Sequence, residues 1–346
     1  LLAKLRFHPF VIKLLNWEYW PFGILQAPLF FMWLAYGVRQ RSLFYFSASN
    51  PGIPTGGMMG ESKFGVLELL PAEVRPASLL VRMPIGFDEL LATIAQRGFN
   101  YPFVVKPDLG ERGWMVQRIH SAAELKQYWK ALKRFPVDLI VQELIDLPLE
   151  FGVYYQRYPS QPNGRVTSIT GKEFLFVMGD GKHTLQQLIM ANPRAVLQWP
   201  TLRARFHDQL ATVPAVGERK ELELIGNHCL GTKFVNANHL ITDRLSASFD
   251  RLSKQVPGFF FGRYDLRCAS LDDLENGRVQ VMELNGCGAE PAHIYQPGAS
   301  LWVAVKTLVT HWRTLYEISV ENHHRGVPYL SLREARAYYQ KVRALK

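Results

Sequence analysis

Four fragments stand in a fixed order along this chain and limit what it can fold into. They are Phe103 to Gly113 (FVVKPDLGERG), Val141 to Ile145 (VQELI), Gly262 to Asp265 (GRYD) and Glu283 to Asn285 (ELN). The first sets a lysine, Lys106, at a strand end ahead of a glycine-containing turn. The second is an apolar strand that ends in polar groups at hinge-like spacing. The last two bring an arginine, two carboxylates and an amide oxygen, the ligands a hard cation takes. One such fragment is a weak signal; the ordered set points to an enzyme that uses Mg²⁺ and ATP.

At 346 residues the chain can bury a substantial core and divide into more than one domain. An apolar share of 48% against 20% charged residues excludes general disorder. Cys229, Cys268 and Cys287 are odd in number and lack metal-type spacing, which implies a reducing compartment and no disulfide framework. Cys287 lies close to Glu283 and Asn285, yet no His or Asn signature supports a nucleophile there, so it reads as a small buried residue.

The net charge of +10 is unevenly placed. Residues 1–45 hold Lys4, Arg6, Lys13, Arg39 and Arg41 against Glu18; residues 325–346 hold Arg325, Arg333, Arg336, Lys341, Arg343 and Lys346 against Glu334. The middle of the chain is nearly neutral, whereas a nucleic-acid binder interleaves basic and aromatic residues over its central surface. No nucleic-acid partner is expected. Basic ends beside apolar segments fit an anionic membrane surface, with ordinary solvated charge as the plain alternative.

Pro21 to Val38 is almost wholly apolar, with Trp17, Tyr19 and Trp20 before it and Arg39 and Arg41 after. A spanning helix needs about 20 apolar residues, and this stretch is slightly short and carries Pro21, Gln26 and Pro28. A segment lying in the membrane interface fits best, with a packed subdomain core or a true span as alternatives. Residues 50–62 are turn-rich and read as a flexible loop. Helices are expected over Phe87–Arg97, from the Ser121 cap to about Phe135, after Thr184, from Ser300 to about Glu321, and after Ser331. Strands are expected at Tyr101–Lys106, Trp114–Ile119, Leu139–Ile145, Glu150–Arg157, Arg165–Phe176, Phe259–Arg267 and Arg278–Leu284. The pattern is α+β with mostly antiparallel sheets, and it lacks the glycine fingerprint of a dinucleotide-binding unit.

From Lys63 to about residue 300 the chain resembles the ATP-grasp superfamily, especially D-alanine–D-alanine ligases and the ATP-grasp part of cyanophycin synthetases. Lys106-Pro-Asp, Glu143-Leu-Ile, Gly179 to Thr184 (GDGKHT), Gly262 to Asp265 and Glu283 to Asn285 carry the resemblance. It implies an ATP-grasp fold, two α+β subdomains clasping ATP, in residues 61–325. A short hydrophobic and aromatic segment, residues 1–60, stands in place of a Rossmann-like pre-domain, and a basic amphipathic helix occupies 326–346.

The resemblance also assigns roles. Lys63 and Lys106 match lysines that hold the phosphates, and Gly110 and Gly113 would let backbone N–H groups fold over them, with Arg112 adding a charge or standing exposed. Gln142, Glu143 and Ile145 would line the adenine through backbone groups, and Glu150 matches the carboxylate that binds the ribose hydroxyls. Asp265, Glu283 and Asn285 would bind Mg²⁺ or Mn²⁺; strand alternation puts Glu283 and Asn285 on one face. Arg263 matches the arginine that stabilises the moving γ-phosphoryl group, and Lys172 would sit near it. Asn227, His228, Lys233, Gly288 and Glu290 are substrate-side candidates, Glu290 as a carboxylate for an ammonium group.

What the resemblance implies about activity is an ADP-forming carboxylate–amine (or thiol) ligase that works through an acyl-phosphate. Small-molecule or lipid-linked carboxylates and amines are the expected substrates, with D-alanine disfavoured by the missing pre-domain. A kinase acting on a hydroxyl and an ATP-binding membrane scaffold are the alternatives. The expected location is cytoplasmic, peripheral on the inner face of the membrane.

Overall fold

Period-two runs of the sequence become strands of two antiparallel sheets in the computed structural model, which describes residues 8–110, 113–223 and 226–344. Helix α1 (Pro9–Leu15) and a turn at Trp17–Tyr19 lead into α2 (Phe22–Gln40), which Pro28 does not end. Arg41, at φ 52°, closes α2 by directing its N–H to the Gly37 and Val38 carbonyls. Among the described residues no helix is long and apolar enough to cross a membrane.

The turn-rich stretch after α2 is not a flexible loop. Asn50 is fully buried, and its side chain donates to Gly56 O (2.9 Å) and Phe261 O (2.8 Å) and accepts from the N–H groups of Phe260 and Phe261 (2.9 Å each). One side chain thus stands in for a strand partner, which composition alone does not reveal. Gly57, at φ 79°, meets Gly286 so closely that an added Cβ would lie 2.6 Å from its Cα.

Helix α3 (Lys63–Leu67) leads to the first sheet, built from β1 (Ser78–Val81), β2 (Phe103–Pro107), β3 (Gln117–Ile119) and β4 (Leu139–Glu143) in the order β1-β4-β2-β3. Helices α4 (Phe87–Gln96) and α5 (Ala122–Leu132) cover it, with Leu90, Ile94, Leu125 and Leu132 packed on Phe103, Val105 and Val141. The strand expected from Trp114 starts only at Gln117. Met115 takes φ 53°, which breaks an extended run, and Trp114 turns edge-on to Phe135 at 5.0 Å.

The second sheet combines β5 (Leu149–Gln156), β6 (Arg165–Glu173), β9 (Lys233–Asn236), β10 (Phe261–Cys268) and β11 (Gln280–Asn285) in the order β11-β10-β5-β6-β9. Between β6 and β9 the chain forms a satellite, with β7 (Phe176–Met178) paired to β8 (Arg219–Glu221) beside α6 (Leu185–Ala191) and α7 (Trp199–Arg205). Thr184 and Gln187 cap α6 reciprocally, as their spacing predicts. Helix α8 (Asp243–Gln255) packs Leu245, Phe249 and Leu252 against one face of the second sheet, where Phe151, Val153, Ile169, Tyr264, Leu266 and Leu284 form the core. Helix α9 (Leu271–Asn276) connects β10 to β11.

Helix α10 (Leu301–His324) ties the N-terminal segment to this larger subdomain. Tyr36 stacks on Tyr316 at 3.9 Å, Ser319 Oγ donates to Tyr45 O, and Asn322 Nδ2 donates to Ala48 O at 2.9 Å. Tyr45 is fully buried in this seam. Helix α11 (Leu332–Arg343) starts on a reciprocal Ser331–Glu334 cap, buries no side chain, and lays Tyr338 and Val342 against Gly60.

Candidate active site

Opposite its core face, the second sheet presents a face of charged and polar side chains, and strand register sets them in rows. Ser168, Tyr154, Arg263 and Asn285 oppose one another across β6, β5, β10 and β11. The next row is Thr170, Gly152, Asp265 and Glu283, and beyond it Glu150 opposes Arg267. Neighbouring strands lie about 4.8 Å apart, so each row spans roughly 14 Å. Gly152 is small where bulk is excluded: an added Cβ would meet Arg263 Cδ at 3.2 Å and Asp265 Oδ1 at 3.4 Å.

The first subdomain brings two lysines to this face. Ser62 caps α3 by accepting from Gly65 N, while Asp108 Oδ1 accepts from Ser62 Oγ and Phe64 N, both at 2.9 Å. This clamp holds Lys63 beside the end of β2, and its Nζ reaches Glu283 Oε1 at 2.6 Å. Lys106 Nζ donates to Gln142 Oε1 (3.0 Å) and to Met282 O (3.1 Å). Lys172 Nζ lies 3.1 Å from Glu150 Oε1 and 3.0 Å from Asp265 Oδ1, and Arg263 grips Asp265 Oδ2 through Nε (3.2 Å) and Nη2 (2.9 Å). Asn285 Nδ2 donates to Asp265 Oδ2 at 2.8 Å.

These pairings set the electrostatics. Burial would raise the Asp265 carboxyl, but Arg263 and Lys172 outweigh it and hold it far below the usual carboxylate range. Glu283 is likewise held low by Lys63 and Lys106 against burial. Burial pulls Lys172 down, but Asp265 and Glu150 carry it above its ordinary value. Lys106 goes the other way: burial, with Lys63 nearby, pushes it down to about 8 despite Glu283 and Asp108.

Sequence-derived candidates converge here to different degrees. Lys63, Lys106, Lys172, Arg263, Asp265, Glu283 and Asn285 meet on one face. Gln142 holds Lys106 with its side chain, while Glu143 is exposed and accepts from Ala77 N at 3.2 Å. Glu150, expected at the ribose, is buried with its two oxygens on Lys172 and Arg267; the Ile145 carbonyl is also taken by Arg267, at 3.0 Å. Alternation turns Glu150 onto the charged face opposite Arg267, where an unpaired carboxylate would be costly. Gly110 (φ 135°) lies under Trp114, and Gly113 (φ 73°) abuts Asn227 Nδ2. Arg112 lies outside the described residues.

Of the residues expected on the substrate side, Asn227 caps the turn at His228–Leu230 by accepting from Cys229 N at 2.8 Å. Burial pushes His228 down to about 4, among the rings of Tyr19, Phe234 and Tyr295. Gly288 is exposed and its N–H reaches Gly57 O at 2.9 Å; Glu290 gives its carbonyl to Arg263 Nη1 at 3.0 Å. Lys233 is not brought to the face: it pairs with Glu173, which alternation turns away from Lys172. Sequence reading missed Arg267, Tyr154, Thr170, Ser168 and the contacts of Gln26. Arg267 after Asp265, Thr170 and Ser168 before Lys172, and Tyr154 after Glu150 each carried a period-two signal on an expected strand; the contacts of Gln26 had none.

Among the described residues no group of three or more His, Cys, Asp or Glu side chains could hold a metal by itself. Asp265, Glu283 and the Asn285 amide still fit a magnesium ion that arrives with a polyphosphate, since Mg²⁺ takes one or two carboxylates and completes its shell with phosphate oxygens and water.

No family model and no curated protein matches the sequence. Similar solved structures include the D-alanine–D-alanine ligase from Coxiella burnetii, 10% identical over 83% of this chain and 63% of that one, TM-score 0.44. A bifunctional glutathione synthetase from Pasteurella multocida is 14% identical over 72% of this chain and 36% of its own, TM-score 0.37. The D-alanine–D-alanine ligase from Bacillus anthracis complexed with ATP is 14% identical over 83% and 69%, TM-score 0.39. This chain therefore spans little more than a third of the synthetase and less than two thirds of the Coxiella ligase. The D-alanine–D-alanine ligases are a kind of enzyme that the sequence fragments resemble, but likeness at this level carries no weight on activity. The two α+β subdomains meeting at a charged face are those the resemblance to the ATP-grasp superfamily implied.

Proposed function

We propose that this protein is an ADP-forming ligase that joins a carboxylate to an amine or thiol at the expense of ATP. The observation that carries the reading is the convergence of Lys63, Lys106, Lys172 and Arg263 with Asp265 and Glu283 where the two subdomains meet. In the free protein these cations close on the carboxylates. ATP phosphates compete with Glu283 for Lys63 and with Asp265 for Lys172 and Arg263, which frees both carboxylates, with Asn285, to hold the metal. Mg²⁺ or Mn²⁺, when bound, supplies neutralising charge between phosphate oxygens.

Arg263 and Lys172 then stabilise charge as the carboxylate oxygen of the acid bonds to the γ-phosphorus and the bond to ADP breaks. The incoming amine, once its ammonium proton has gone to solvent, bonds to the acyl carbon as the carbon–phosphate oxygen bond breaks, and its second proton leaves with the phosphate. Glu290, whose turn is held by Arg263, lies where the acceptor enters. Support for a membrane-proximal substrate, small or lipid-linked, comes from the apolar outer side of α2 and the basic residues around it, which suit the inner face of a membrane.

ADP release from Mg·ATP with soluble-metabolite and lipid fractions of a cell extract tests the reading, with Arg263→Ala beside wild type. The substitution is expected to cost about 100-fold or more while ATP still binds. Mass spectrometry of an amide or thioester with ADP and phosphate supports the ligase. A phosphorylated alcohol would make it a kinase, and ATP binding without ADP release in any fraction would leave a scaffold.

A further inference from the structure

The N-terminal segment reaches the acceptor end of the charged face. Helix α2 sends Gln26 inward, and its Nε2 donates to Glu290 Oε1, while Tyr295 OH donates to Glu290 Oε2 at 2.5 Å. The main chain of Glu290 is held by Arg263, so the carboxylate is anchored one residue's breadth from the phosphoryl-transfer arginine. Glu290, Gln26 and Tyr295 are each only half-buried, so a small ligand has access to them.

Rings from separate segments form a row that begins at Tyr295, whose hydroxyl holds this carboxylate. Trp17 lies 5.8 Å from Tyr295, Tyr295 lies 5.8 Å from His228, and His228 lies 5.6 Å from Tyr19 and 5.3 Å from Phe234. Trp17 is fixed by its indole N–H to Ala299 O at 2.6 Å. Phe234 opposes Lys172 across β6 and β9, which joins the aromatic wall to the charged face. With its pKa near 4, His228 is neutral at pH 7 and adds no repulsion to a cation. Thr170 on the same face is 1% exposed, and its Oγ1 has no partner among the described residues. A carboxylate at the end of a row of aromatic rings offers the charge and the π-faces that recognise an ammonium group.

We propose that the N-terminal segment forms one wall of the acceptor chamber, Trp17, Tyr19 and Gln26 joining Tyr295, His228 and Glu290 to select a primary amine in its ammonium form. The catalytic purpose of that amine rests on the ligase reading, but its binding is measurable without turnover. Saturation-transfer NMR on the full chain would use n-butylamine as the soluble probe and dihexanoyl phosphatidylethanolamine as the lipid-borne one. Butanol and dihexanoyl phosphatidylcholine serve as controls, and a fluorescent ATP analogue reports the nucleotide site.

A primary amine is expected to bind saturably and the controls not. Glu290→Gln should weaken it at least 10-fold, Trp17→Leu and Gln26→Ala several-fold, and Trp17→Phe should restore it, with nucleotide binding unchanged throughout. Preference for the phosphatidylethanolamine over n-butylamine assigns a lipid-borne source, and the reverse a soluble one. Amine binding unaffected by Glu290→Gln, or by both wall substitutions, overturns the proposal, as does nucleotide binding with no amine bound. Loss of the nucleotide alone would count against the ligase reading and leave the amine result to stand.

Discussion

At the residue scale, Lys106 carries the sharpest consequence. Burial leaves it half-protonated near pH 8 in the free protein, whereas a bound polyphosphate needs it charged. ATP binding at pH 8 should therefore take up part of a proton, and affinity should fall as pH rises through 8. Calorimetry in two buffers of different ionisation enthalpy measures this uptake. Lys106→Arg, charged at every accessible pH, should abolish it; uptake unchanged in that variant would mean another group is responsible. Lys106 was legible because its local motif is contiguous, as were Arg263 and Asp265. The Glu150–Arg267 and Glu290–Gln26 pairs were not, since their partners lie 117 and 264 residues apart.

Among the elements, α2 carries exposed as well as buried apolar side chains. Leu25 and Leu29 are buried, while Phe31 and Val38 are 71% and 70% exposed, along with Ile24 and Phe30. Exposed Phe10, Leu14 and Leu15 of α1 and exposed Lys13, Arg39 and Arg41 accompany them. Each large side chain that left water would contribute about 1.5–3 kcal/mol, so a few suffice for stable docking. Co-sedimentation with anionic and neutral liposomes at two salt concentrations should show binding to the anionic surface that largely survives salt, because insertion is not screened. Phe31→Glu with Val38→Glu should abolish it, and no binding to either lipid would sink the docking idea. Helix α2 is apolar all round in sequence, so its periodicity names no inner face; contacts with α10 choose one.

Across the whole molecule, acid stability reports how α10 is packed on the second sheet. His311 is 7% exposed, between Tyr154 at 5.1 Å and Phe261 at 4.8 Å, and burial drives it down to about 3. In the unfolded chain it returns to about 6.5. Between those values the unfolded state holds a proton that the native state does not, so stability is complete above pH 6.5 and falls as pH drops below it. His311 alone accounts for about 1.4 kcal/mol per pH unit. Melting curves from pH 7 to 5 should show the decline, to which His228 and His293, both pushed down to about 4 by burial, also contribute. His311→Gln should lessen the slope by about 1.4 kcal/mol per pH unit, and an equal slope in the variant would assign the effect elsewhere.

Local chemistry determined much of this protein before folding was considered. Capping residues, period-two runs and the ordered charged fragments specified an α+β chain with antiparallel strands, lysines and a carboxylate pair, because each signal spans only a few residues. Register across five strands was decided by the tertiary structure alone. So were the burial of Glu150 between two cations, the anchoring of residues 50–60 by Asn50, and the arrival of Gln26 at Glu290. These depend on which distant surfaces exclude water together, and no short window of sequence contains that choice.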